Sequence, residues 1–88
     1  MPKVVWKFAL ATEHVQQIFM PKGAQILSIQ VQYDQPVLWA LCEPAQDQEA
    51  HVFVTVGTGQ KFNHSDRAKY IGSYQMMHGH FIGHVFEV

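Results

Sequence analysis

A mainly β fold, a small single-domain antiparallel sandwich or barrel of about seven strands spanning residues 1–88, is what this sequence predicts. Three observations carry the prediction. Apolar and polar residues alternate along several short runs, the period of a half-buried strand. Turn-forming clusters separate those runs at roughly even spacing. No stretch sustains the i, i+3, i+4, i+7 apolar pattern of an amphipathic helix for three turns.

Taken in order, Val4, Trp6, Phe8 and Leu10 share one parity and make the first strand, ended by Thr12 and Glu13. Val15 to Met20 reads as the second strand, and Pro21-Lys22-Gly23 as a turn: proline fixes φ and glycine accepts a positive one. From Gln25 to Tyr33, Leu27, Ile29, Val31 and Tyr33 alternate with Ser28, Gln30 and Gln32, which predicts a third strand with a dry face and an amide-rich face. Asp34-Gln35-Pro36 is the expected turn, and Val37 to Cys42 is a continuous apolar run expected as a central strand, forming a hairpin with the third. Glu43 to Ala50 is polar, contains Pro44 and is expected to be a loop. Val52, Val54 and Val56 make the fifth strand, closed by Gly57-Thr58-Gly59. Lys61 to Lys69 is a polar loop in which Ser65 or Asp66 is placed to cap one helical turn. Tyr70 to Met76 and Phe81 to Val88 are the last two strands, joined through His78-Gly79-His80.

Composition bounds the function. At 88 residues with 48% hydrophobic content, the chain has a core but a marginal one, because a domain this size buries only about 60–65% of its unfolded surface. Self-association is a cheap way to add burial, and the sequence is expected to form a homo-oligomer. Charged residues make up 15%, below the roughly 25% of an average domain, and the formal net charge is −1. With no basic excess to neutralise phosphates, nucleic-acid binding is not expected. The single cysteine, Cys42, has no partner for an internal disulfide and lies in an apolar run, which points to a buried thiol in a reducing compartment. No apolar run is long enough for a membrane-spanning helix, and Met1-Pro2-Lys3 leads directly into a strand rather than a secretion signal. The expected location is the cytoplasm.

Six histidines invite a metal reading. His78, His80 and His84 crowd the last strands. His80 and His84 on one strand would stand roughly 13 Å apart, too far for one ion, and no cysteine or carboxylate completes a zinc set at the usual spacing. No metal and no other cofactor is therefore assigned. Catalysis is not expected either. His64-Ser65-Asp66 is adjacency rather than a triad, G-x-S-x-G is absent, and the acidic residues are scattered with no reason to pair any two. Two binding features remain. Ser28, Gln30 and Gln32 offer uncharged donors and acceptors on one strand face, suited to a protein partner or a polar small molecule. Gly57, Thr58 and Gly59, with Lys61 and Arg67 nearby, are where an anion or nucleotide would be sought, although the run is too short for a P-loop or a dinucleotide fingerprint.

Several blocks resemble a family of short uncharacterised phage and bacterial proteins: Val5-Trp6-Lys7-Phe8, Met20 to Gln32, Pro36 to Leu41, Val56 to Gly59, Tyr70 to Gln75 and His84 to Glu87. That family has small residues where His78 and His80 stand, whereas His84 fits its pattern. The resemblance implies a stand-alone domain of phage origin with an accessory role. Counter-defence is one such role by analogy, by occupying a host protein complex or sequestering a small nucleotide signal. The expectation is a non-enzymatic binding protein acting on a host protein or small ligand. The alternatives are a structural or assembly component of a phage particle and a small histidine-dependent metal-binding protein.

Overall fold

Seven strands form where local alternation places them: β1 (Val4–Ala9), β2 (Val15–Pro21), β3 (Gln25–Gln32), β4 (Gln35–Cys42), β5 (Gln48–Gly57), β6 (Lys69–Met76) and β7 (Phe81–Glu87). A 3-10 turn, Met77–Gly79, joins the last two. This is a computed structural model, and it describes residues 2–88. The strands make two antiparallel sheets, ordered β1-β4-β3 and β2-β5-β7-β6. The sheets do not close on themselves, so of the two expected architectures the sandwich is the one formed. The molecule measures 42 × 31 × 16 Å along its principal axes, the thin dimension being that of two stacked layers. No helix among the described residues is long and apolar enough to cross a membrane.

The core is the space between the layers. Leu38, Ala40 and Cys42 point inward from β4, and Met20, Phe53, Tyr74 and Val85 face them from the four-stranded sheet. Leu10, just past β1, is also fully buried, held by its N–H donating to Pro36 O at 2.9 Å. Cys42 is buried as expected. Burial pushes its thiol pKa up, so it is a poor nucleophile, and the thiol donates weakly to Ala40 O. Gly83 on β7 is required by close packing: a Cβ there would stand 2.8 Å from Tyr74 Cζ and 3.0 Å from Thr55 Cγ2. Tyr74 is nearly enclosed, and burial raises its pKa against a smaller lowering by the Thr55 hydroxyl.

Two boundaries and one strand face differ from the sequence expectation. The turn between β3 and β4 is Tyr33-Asp34 rather than Asp34-Gln35-Pro36, since Gln32 pairs with Gln35 and Val31 with Pro36. Both turn residues have positive φ, 52° and 60°, the mark of the type I′ turn that matches strand twist in a two-residue hairpin. The loop expected over Glu43 to Ala50 is shorter, because β5 starts at Gln48 and pairs it with Pro21. The dry face expected of Leu27, Ile29, Val31 and Tyr33 is broken by a bulge. Ile26 pairs with Ala40 but Ser28 pairs with Trp39, so Leu27 is the extra residue, half exposed, and Ile26 takes the inward place beside Ile29.

Candidate functional site

Register fixes what the three-stranded sheet shows to solvent. Because Leu38, Ala40 and Cys42 face the core, Trp39 and its cross-strand partners Lys7 and Ser28 face outward, with Gln30 opposite Val37 and Gln32 opposite Gln35 on the same side. Two contacts order this face. Trp39 Nε1–H donates to Gln30 Oε1 at 3.0 Å, and Lys7 Nζ reaches across β4 to donate to Gln32 Oε1 at 2.7 Å. Each glutamine spends its carbonyl oxygen on a neighbour, which orients its amide NH2 group. Ser28, Gln30 and Gln32 therefore lie together as the sequence places them, and Trp39 adds an aromatic plane between them. At the end of this face stands Tyr33, 93% exposed at the tip of the β3–β4 turn. Positive φ is unfavourable for an aromatic residue, and asparagine or glycine would relax the turn.

The turn Gly57–Gln60 borders three shallow concavities of about 220, 220 and 270 Å³. Gln60 N–H donates to Gly57 O, and Gln60 Oε1 accepts from Gly57 N–H at 2.7 Å, so this amide is already used within the turn. Thr58 Oγ1 shares a hydrogen bond with His84 Nε2 at 2.7 Å. Gly57, Thr58 and Gly59 line these concavities, whereas Lys61 and Arg67 do not. Arg67 instead gives its backbone N–H to Ser65 Oγ and Ala68 N–H donates to Ser65 O, which closes a β-turn; the helical turn expected there does not form.

The loop after this turn folds back over the outer face of the four-stranded sheet. Phe62 packs on Phe86 with centroids 4.7 Å apart, Tyr70 meets Phe86 edge-on, and Phe62 meets His64 edge-on. This brings His64 to His14, 50 residues away in sequence, with their Nε2 atoms 3.3 Å apart. His14 is fixed twice to β5. Thr55 N–H donates to His14 O at 2.8 Å, and His14 Nδ1 lies 3.1 Å from Thr55 O. A carbonyl only accepts, so His14 carries a proton on Nδ1. His78, His80 and His84 do not gather into a ligand set, and among the described residues no three histidine, cysteine or acidic side chains are grouped to hold a metal ion.

A third group, partly buried, is formed by β5 and β7. His51 Nδ1–H donates to Glu87 Oε2 at 2.6 Å, its Nε2 lies 3.2 Å from Glu49 Oε2, and its ring stacks on Phe53. The acids are scattered along the sequence, yet β5 and β7 bring Glu49 and Glu87 to one imidazole. The sequence offers Tyr33 as one of several aromatic anchors for a contact, but nothing local in it singles out His14 or His51, because the pairings that place the two histidines are nonlocal.

A family model for a domain of unknown function, DUF7352, matches residues 1–88. No curated protein and no solved structure matches the chain.

Proposed function

The chain belongs to the DUF7352 family, a domain of unknown function, and on that footing we propose that it is a non-catalytic binding protein whose contact surface is the β3–β4 hairpin tip and the outer face behind it. The observation that carries the reading is Tyr33. A fully exposed aromatic residue is held at positive φ, where a smaller polar residue costs less. Its neighbours are an outward tryptophan and ordered amides, a combination of rigid aromatic anchors and adaptable hydrogen-bonding groups suited to a protein partner. In the phage setting that the sequence resemblance implies, the partner is a host protein complex and the role counter-defence.

The test is a photo-cross-linking amino acid placed at position 33 and, as a control, at exposed Ala45, in bacterial cells making the chain. One specific protein adduct from position 33, absent from position 45 and lost on changing Gln30 and Gln32 to lysine, is the expected result. Equal labelling from both positions, or none from position 33, refutes the surface. Tyr33→Asn is expected to stabilise the fold by about 0.5–1 kcal/mol in urea denaturation, and the unlabelled variant is expected to compete against the position-33 adduct less well than the unlabelled wild type. A stabilised variant with undiminished cross-reactivity in competition with the wild type would remove Tyr33 from the interface.

A second contact is favoured by β1, the edge of its sheet, whose backbone is unpaired on one side and whose Val5 and Trp6 are 54% and 39% exposed. Two copies pairing β1 antiparallel about a two-fold axis have two registers of greatest overlap. Centring on Lys7 sets like charges against each other, whereas centring on Trp6 sets Lys7 against the partner's Val5. The expected species is a dimer in the Trp6-centred register. Light scattering coupled to gel filtration reads it: Trp6→Lys converts the dimer to monomer, and a monomeric wild type rejects the pairing.

A further inference from the structure

We propose that His14 and His64 together bind a divalent transition metal ion, with zinc as the reference ion. The argument is geometric. Two imidazole nitrogens bound to a tetrahedral zinc at about 2.0–2.1 Å stand roughly 3.3–3.4 Å apart. The Nε2 atoms of His14 and His64 are 3.3 Å apart. The backbone carbonyl of Thr55 accepts from His14 Nδ1–H, which fixes the ring and leaves Nε2 with a lone pair; His64 Nε2–H donates to it here, and an ion replaces that hydrogen bond once His64 carries its proton on Nδ1. A carbonyl or carboxylate on the far nitrogen is the usual outer-shell arrangement of metal-bound histidine. The edge of Phe62 holds the second ring from the other side.

The two histidines come from different parts of the chain, the β1–β2 connection and the loop between β5 and β6. A bound ion therefore clips that loop, with Phe62, onto the outer face of the four-stranded sheet. Its remaining coordination positions open to solvent and take water or a donor from a partner. This site is distinct from the hairpin surface and stands whether or not that surface is used.

Isothermal titration of tag-free protein with zinc chloride near neutral pH tests the site, alongside the melting temperature with and without zinc. The expected result is saturable one-to-one binding and a higher melting temperature with the ion. His64→Ala, which leaves the Thr55 contact intact, and His14→Ala should each weaken binding about tenfold or more and abolish the thermal shift. His78→Ala/His80→Ala should bind like the wild type. Circular dichroism checks that each variant is folded. No binding by the wild type at submillimolar zinc overturns the site, as does binding that survives His64→Ala but is lost in the His78/His80 variant.

Discussion

Replacing Phe53 with alanine is expected to destabilise the domain by about 3–5 kcal/mol, the cost of emptying a large buried aromatic site. Phe53 is fully buried on β5, a strand paired on both sides, and shares the inter-sheet core with Met20, Leu38 and Val85. Its ring also supports His51, stacked upon it at 14° between planes, so the cavity would loosen the His51–Glu87 contact too. A chain of this length has a total stability of about 5–10 kcal/mol. The variant should lose roughly a third or more of it, with a urea midpoint shifted to lower denaturant. A loss below about 1 kcal/mol would mean that the two sheets collapse onto the vacated volume, which close packing of two twisted layers opposes.

Gly83→Val is the counterpart experiment, adding volume instead of removing it. Even the first added carbon meets Tyr74 Cζ at 2.8 Å and Thr55 Cγ2 at 3.0 Å. Valine is the better strand former by up to about 1 kcal/mol, because glycine in a strand loses more backbone entropy. Overpacking costs about 1–3 kcal/mol and wins, since the Tyr74 ring that must give way is itself enclosed in the core. Thermal or urea unfolding should show a net loss. In the double variant with Tyr74→Leu, the combined loss should be smaller than the sum of the single losses, because the two changes act on one contact. Strict additivity would place the strain elsewhere on β7.

The seven strands were legible because alternation and turn chemistry are local properties. Val52, Val54 and Val56 announce a strand whatever it pairs with. Its partners are another matter. β5 lies between β2 and β7, and no residue of β5 encodes that choice by itself. The amide face was legible for the same local reason, since Ser28, Gln30 and Gln32 share parity after the bulge. The bulge itself was not. Leu27 looks like one more inward residue until Ile26 is seen opposite Ala40. The His14–His64 pair, and the gathering of Glu49 and Glu87 about His51, depend on strand register and loop path across the whole chain. Of the six histidines, the densest run is His78 to His84, whereas the close histidine pair in the structure joins residues 50 apart.

The pairing of β1 with β4 sets a schedule for synthesis. Ala9 faces Val37 and Val4 faces Cys42, so β1 has no strand to join until about 30 further residues have been made. At ribosomal rates of ~5–20 residues per second, that is a wait of a few seconds with Val4, Val5, Trp6 and Phe8 unsheltered. β3 and β4, joined by a two-residue turn, can zip within microseconds of emerging and then serve as the template on which β1 docks. Lys3 and Lys7 lie among the apolar positions of the waiting segment, and their like charges stand opposite one another if it pairs in parallel register with the same segment of neighbouring nascent chains, which opposes that off-pathway stacking. Removing both lysines should therefore lower the yield of soluble protein made in cells far more than it lowers the stability of protein already folded.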